Sequence, residues 1–283
     1  MERATIEKLI TICREASDKI CEIHRSATSD VRKKDDHSPV TDADIASHHA
    51  IIAGLSQLFP QDLLISEESG KDAESMRNEA LSQSDRNVWL IDPLDGTKEF
   101  IKRNGQFTVN IGLLHKGIPT FGIIMQPTTG CIYYGGVGVT PTFIDENGSQ
   151  HTMPLPQQLR SKTVAVISSS HGGSERDILS SISNNFDFVS FGSSLKFCKV
   201  AEGSADLYLR TSPTSEWDTA AADAILRSCG ISITDHSGQV LRYFKPGLRN
   251  PPLLALSPHA MRQIALRNSI IKECLDRSPQ LQG

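Results

Sequence analysis

The chain has 283 residues, 38% of them apolar, and a formal net charge of -4, which allows a sizeable core in one large or two modest domains but gives no basic footprint for nucleic acid. An anionic substrate would therefore need local cations or metals to overcome the general field. Six cysteines, at 13, 21, 131, 198, 229 and 274, lack C-x-x-C spacing, which argues against a zinc site or disulfide framework and fits a reducing compartment.

Residues 1–27 place Ile6, Leu9, Ile10, Cys13, Ala16, Ile20, Ile23 and Ala27 on one stripe between charges. The spacing predicts an amphipathic helix, not a signal peptide. No apolar run approaches membrane-spanning length, so any membrane association is expected to be peripheral. Residues 29–39 are polar, rich in Lys and Asp, and expected to be a mobile loop. A second helix is predicted from Thr41 to about Phe59, with Ile45, Ile52, Leu55 and Phe59 facing inward and Pro60 beyond its end. Asp44 stands three residues after Thr41, the spacing of a capping box. Leu63 to Glu68 reads as a short strand ending in paired acids, and residues 69–86 as a polar, flexible stretch. Glu67 and Glu68 thus stand at a strand end, where a bridging carboxylate would be placed.

The stretch from Val88 to Phe100 carries the strongest chemistry. An apolar strand runs into Asp92-Pro93-Leu94-Asp95-Gly96-Thr97, where Pro93 and Gly96 bend the chain so that both carboxylates can face one point. Hard cations such as Mg²⁺ prefer carboxylate, carbonyl and water oxygens, and this turn can present Asp92, Asp95 and the Leu94 carbonyl together. Gly96-Thr97 would then open a helical turn whose N–H groups suit a phosphate oxygen. An ordinary strand-to-turn exit uses the same residue types for local reasons, so both readings stand at this point.

Downstream, Phe107 to Leu113, Thr120 to Met125 and Cys131 to Tyr134 predict an antiparallel meander with turns at 115–117 and 127–130. Met153 to Pro156 offers a seam between a metal-binding half, 1–154, and a second half, 155–283. In the second half strands and helices alternate: 163–168, 175–182, 186–190, 194–202, 205–209, 218–229 and 231–234, with a last helix over 258–275. That alternation predicts an α/β arrangement.

Asp218 sits where a helix should start and Gly230 where it should stop, which is also how an N-cap looks. The small residues Thr219 to Ala222 would let that helix approach another backbone closely and bring Asp218 to the same cation. A second anion site is outlined by Ser193, Ser194 and Lys196 in a helix's first turn, where lysine is disfavoured by the macrodipole unless an anion intervenes. Arg210 could clamp the same phosphate, and His171 lies in a loop at the edge where α/β sheets bind ligands. The serines also read as simple caps and His171 as a solvated loop residue; together, however, the set suits a substrate with two separated phosphates.

The segments Asp92 to Thr97 and Trp217-Asp218-Thr219-Ala220-Ala221, with Glu67-Glu68 upstream, resemble the signatures of the lithium-sensitive, Mg²⁺-dependent inositol monophosphatase superfamily. Within it, segments 38–44, 98–105, 107–111, 192–198 and 200–203 are most similar to the bacterial 3'(2'),5'-bisphosphate nucleotidases of sulfate assimilation. The resemblance implies a layered α-β-α-β-α sandwich. It implies two or three Mg²⁺ ions on Glu67, Asp92, the Leu94 carbonyl, Asp95 and Asp218, with inhibition by Li⁺. Its water-activating pair falls on Asp44 and Thr97, and its nucleotide contacts on His171, Ser193, Lys196 and Arg210. The implied activity removes the 3'-phosphate of adenosine 3',5'-bisphosphate (PAP), and also acts on its sulfated relative (PAPS). Two alternatives remain at this point: an inositol or sugar monophosphate phosphatase with the same metal core, and a non-catalytic nucleotide or metal sensor. A cytoplasmic location and a monomer are expected, with a dimer as the alternative and attachment to the inner face of a membrane left open.

Overall fold

The structure is a computed structural model that describes residues 1–26, 31–33, 39–83, 85–154, 160–170, 172–258, 260 and 268–273. Helix α1 (Arg3–Arg25) buries Leu9, Cys13, Ala16 and Ile20 on the expected stripe. Where the sequence suggested only a mobile loop, β1 (Val31–Lys33) pairs antiparallel with β2 (Pro39–Thr41); residues 34–38 lie outside the described set. Helix α2 (Asp42–Leu58) follows directly and buries the i,i+4 row Ala43, Ser47, Ile51 and Leu55. Ile45, expected inside, is instead 37% exposed. The helix is rotated by its polar anchors: Ser47 donates from Oγ to the Pro93 carbonyl at 2.7 Å.

β3 (Leu63–Ser66) runs through a short turn of 3₁₀ helix, Glu67–Ser69, into α3 (Asp72–Ser82), then β4 (Asn87–Asp95) and α4 (Thr97–Ile101). The flexible stretch expected over 69–86 is thus largely helical. β3 and β4 are parallel, and a parallel pair needs a crossover. α3 supplies it while burying only Ala73 and Ala80, so its polar sequence gave no periodic signal.

β5 (Thr108–His115), β6 (Ile118–Met125), β7 (Ile132–Gly136), β8 (Val139–Ile144) and β9 (Gln150–Thr152) continue as the predicted meander, longer than expected. Among the described residues β3 to β9 form a seven-stranded sheet in chain order. Strand alternation splits its side chains between two faces. Trp89, Ile91, Val109, Ile111 and Ile123 pack with α1 and α2, while Val88, Leu90 and Ile124 join a cluster on the opposite side.

The remaining elements are β10 (Thr163–Ser168), α5 (Gly173–Ile182), β11 (Phe186–Phe191), α6 (Leu195–Ala201), β12 (Leu207–Arg210), β13 (Thr214–Ser215), α7 (Ala220–Ser228), β14 (Ile233–Asp235), β15 (Arg249–Asn250) and β16 (Leu253–Leu256). A second sheet has the order β11-β10-β12-β16-β14. Its first three strands are parallel; β16 is antiparallel to both neighbours. Sequence reasoning missed β16, whose four buried residues are too few to show a period. Residues 258, 260 and 268–273 are helical within the expected last helix.

Helix α7 covers the second face of the first sheet. A Cβ added at Gly112 would lie 2.6 Å from Ala221 N, and one at Gly122 only 2.0 Å from the Ala221 carbonyl oxygen. Small residues on both partners therefore bring backbones together, as the Thr219 to Ala222 run predicted. α6 and α7 fill the space between the sheets, and α5 covers the outer face of the second. The layers are α-β-α-β-α. No helix of the described residues is long and apolar enough to cross a membrane, and the described cysteines 13, 21, 131, 198 and 229 are free.

Candidate active site

In a regular strand, residues three apart point to opposite faces. Here β4 pairs Asp92 with Asn110 and Asp95 with Thr108, so Pro93 and Leu94 together oppose Val109. This bulge adds one residue and returns both carboxylates to the same side. Gly96 follows with φ of 92° and opens α4; a Cβ there would press against that of Ser193 at 3.2 Å, so the turn needs glycine for its conformation and for its space.

A cleft of about 1020 Å³ lies over this turn and is lined by Glu67, Asp92, Leu94, Asp95, Gly96, Thr97, Ser193, Lys196, Arg210 and Asp218, among others. The sequence-predicted residues are therefore brought together from elements far apart in the chain. His171 lies outside the described residues.

Burial, followed by repulsion from Glu67, Asp95, Asp218 and Asp44, holds the Asp92 carboxyl well above the usual carboxylate range. Burial also raises Asp95, opposed by Lys196 and by hydrogen bonds from Ser194 and Asn110. Asp218 is pushed up to about 8 by burial and by Asp95 and Glu67. These acids repel one another and gain from a cation among them. The donor set is all oxygen, which fits Mg²⁺ better than a transition metal. Among the described residues no three such side chains stand close enough together to hold an ion as they are placed, although Glu67, Asp92, Asp95 and Asp218 line the same cleft.

Asp44 does form the capping box. Its Oδ2 accepts from the Thr41 N–H at 2.8 Å and from the Thr41 hydroxyl at 2.7 Å. Its other oxygen, Oδ1, faces Thr97 Oγ1 at 3.5 Å. Burial raises the Asp44 pKa to about 6 against the lowering effect of the Thr41 bonds. Asp218, by contrast, is not the cap of α7: that position is Thr219, without a side-chain bond, and Asp218 Oδ2 accepts from the Ser215 N–H at 2.8 Å.

Ser194 joins the two halves of the acid cluster. Its Oγ accepts from Asn110 Nδ2 at 2.9 Å and lies 2.8 Å from Asp95 Oδ2 and 3.0 Å from the Asp218 carbonyl. Sequence reasoning gave neither Ser194 nor Asn110 this role, because nothing in the linear spacing relates residues 84 positions apart.

Beside the acids, next to Gly96, Ser193 adopts a left-handed φ of 44°. Its buried Oγ has no hydrogen-bond partner, nor has Arg210 Nε. Lys196 is buried, and its Nζ donates to the Ser193 carbonyl at 2.5 Å. Burial lowers its pKa to about 8, with Asp95 raising it and Arg210 lowering it. Neither serine caps α6 with its side chain. Unmatched donors beside a buried ammonium form a wall suited to an anion.

A model of the inositol monophosphatase family matches residues 2–273. The chain belongs to the inositol monophosphatase family. It is 40% identical over 251 residues to the 3'(2'),5'-bisphosphate nucleotidase CysQ of Salmonella typhimurium, covering 86% of this chain and 98% of that protein. It is 39% identical over 252 residues to CysQ of Escherichia coli K12, with the same coverage. The crystal structure of CysQ from Bacteroides thetaiotaomicron, a bacterial member of the family, superposes with a TM-score of 0.76 at 33% identity over 90% of this chain and 97% of that one. The Thermotoga maritima IMPase shares the fold, with a TM-score of 0.75 at 19% identity over 97% of this chain and 99% of that one. The family's layered sandwich is thus the one built here from two sheets.

Proposed function

We propose that this member of the inositol monophosphatase family is a Mg²⁺-dependent 3'(2'),5'-bisphosphate nucleotidase. It hydrolyses the 3'-phosphate of adenosine 3',5'-bisphosphate to AMP and phosphate, and also accepts the 5'-phosphosulfate analogue. The observation that carries this reading is that two unlike sets of groups line one cleft: a cluster of acids and, beside it, Lys196 with unmatched polar atoms on Ser193 and Arg210. A monophosphate substrate would leave Ser193 Oγ and Arg210 Nε unmatched. Similarity to the CysQ proteins supports the same reading.

Glu67, Asp92, the Leu94 carbonyl, Asp95 and Asp218 would hold the Mg²⁺. Bound there, Mg²⁺ would supply positive charge to the scissile phosphate and lower the pKa of a water, so that it gives up a proton more readily and attacks as hydroxide. Thr97 Oγ1 would orient the attacking water and pass its proton toward Asp44 Oδ1, whose raised pKa suits a base working near neutrality; as the bond from phosphorus to the 3'-oxygen breaks, that oxygen takes up a proton from solvent and leaves as the 3'-hydroxyl of AMP. Thr41 keeps the Asp44 carboxylate from rotating away. Lys196, Arg210 and Ser193 hold the phosphate that does not react, so they govern specificity more than the chemical step.

The test is phosphate release from adenosine 3',5'-bisphosphate in Mg²⁺, in chelator and with added Li⁺. Turnover should need Mg²⁺, vanish in Asp92→Asn while the chain stays folded, and fall with Li⁺. Full turnover in chelator would end the metal account.

A further inference from the structure

A second cavity, about 570 Å³, shares no lining residue with the first cleft. It is walled by the end of α3, the β5–β6 turn, the end of α7 and the segment 240–244. Three large apolar side chains are exposed in this one place: Leu81 at 51%, Ile118 at 54% and Val240 at 47%. Apolar side chains gathered in a concave site, rather than scattered singly, mark a binding surface.

The charged lining residues are Lys116, Arg227 and Arg242, with no acid among them. Lys116 is paired with Asp85 at 2.7 Å, and Arg227 with Asp223 at 2.9 Å. Arg242, exposed, has no carboxylate partner among the described residues. We propose that this cavity binds a small organic anion with an apolar ring or chain, its body over Leu81, Ile118 and Val240 and its acidic group on Arg242.

The cavity's floor is tied to the catalytic turn. Phe244 adopts a left-handed φ of 66°, a strained conformation for a bulky residue. Its N–H donates to Glu216 Oε2 at 2.7 Å, and the next N–H, of Lys245, to Oε1 at 2.9 Å. The Tyr243 hydroxyl meets Thr219 Oγ1 at 3.3 Å. Glu216 is fully buried and with Thr219 brackets Asp218. A ligand that displaces 243–244 therefore pulls on the turn carrying an acid of the first cleft.

The effect on turnover rests on the phosphatase reading; the site does not. The probe is 8-anilinonaphthalene-1-sulfonate, an aromatic sulfonate that fluoresces on binding, titrated into the folded full-length chain. One molecule should bind and remain bound at saturating adenosine 3',5'-bisphosphate in Ca²⁺, used to suppress turnover. Arg242→Ala, an exposed change, should weaken binding on the order of tenfold, the worth of one charged hydrogen bond. Ile118→Glu should weaken it at least as much, and both variants should keep the wild-type Tm. In Mg²⁺ the probe should change kcat in wild type and leave kcat of Arg242→Ala unaltered at the same concentration. Displacement by the bisphosphate, or equal affinity in wild type and both variants, would overturn the site. An enzyme without phosphatase activity would still give the fluorescence result, so failure of either reading is seen separately.

Discussion

Thr97 Oγ1 lies 3.5 Å from Asp44 Oδ1, while the other oxygen of the same carboxylate is held by the Thr41 N–H and hydroxyl at 2.8 and 2.7 Å. One side chain thus caps a helix and faces the cleft's threonine. The 3.5 Å separation is at the long limit of a hydrogen bond, as is common before substrate tightens a catalytic pair. If Thr97 activates water, Thr97→Ala should lower kcat by roughly 10²-fold with little change in KM. Steady-state kinetics decide this, since a change confined to KM would make Thr97 a phosphate contact only.

Arg210 carries an unmatched buried Nε in the cleft that the acids line. A charged hydrogen bond is worth about 1.5 to 3 kcal/mol, so Arg210→Ala should cost on the order of 10- to 150-fold in kcat/KM for adenosine 3',5'-bisphosphate. A small monophosphate should be almost unaffected. Equal losses on both substrates would show that Arg210 acts on the scissile phosphate or on the fold.

Gly122 permits the approach of α7, since a Cβ there would sit 2.0 Å from the Ala221 carbonyl oxygen. Overpacking of this kind costs about 1 to 3 kcal/mol and sometimes more. Gly122→Ala should lower Tm and, because α7 follows Asp218 directly, reduce turnover beyond the loss of folded protein. Calorimetry and active-site titration of the same sample check both effects.

Burial raises Asp44 to about 6 and Asp218 to about 8, and raises Asp92 and Asp95 as well. A carboxyl with a raised folded pKa binds its proton more tightly when folded, so its contribution is present below the unfolded value near 4 and is lost as pH rises through the folded value. Metal-free protein should therefore lose Tm between about pH 4 and pH 8. Mg²⁺ should restore it, most strongly at the alkaline end where the acids are charged. A flat metal-free Tm across that window would contradict the electrostatic picture of the cluster.

Much of the candidate site was legible, in that residues read from short local units line one cleft. Asp92 and Asp95 share one turn, Asp44 has Thr41 beside it, and the Thr219 to Ala222 run announced a close helix approach. The relations that were not legible are long-range. Ser194 reaches Asp95 and the Asp218 carbonyl across two separate elements, and Glu216 holds a segment that begins at Tyr243. α3 escaped because a crossover helix that buries little can be polar throughout, and β16 because four buried residues show no period. Ile45 is expected inside as one of the row Ile45, Ile52, Leu55 and Phe59, whereas the helix buries Ala43, Ser47, Ile51 and Leu55, the face from which Ser47 bonds to Pro93.

The most direct test of the central claim is side-by-side hydrolysis of adenosine 3',5'-bisphosphate and inositol 1-phosphate in Mg²⁺, with the nucleotide product identified by chromatography. The bisphosphate should be strongly preferred in kcat/KM and should yield 5'-AMP and phosphate. Equal or greater efficiency on inositol 1-phosphate, or 3'-AMP as the product, would contradict the assignment of Ser193, Lys196 and Arg210 to the phosphate that stays behind.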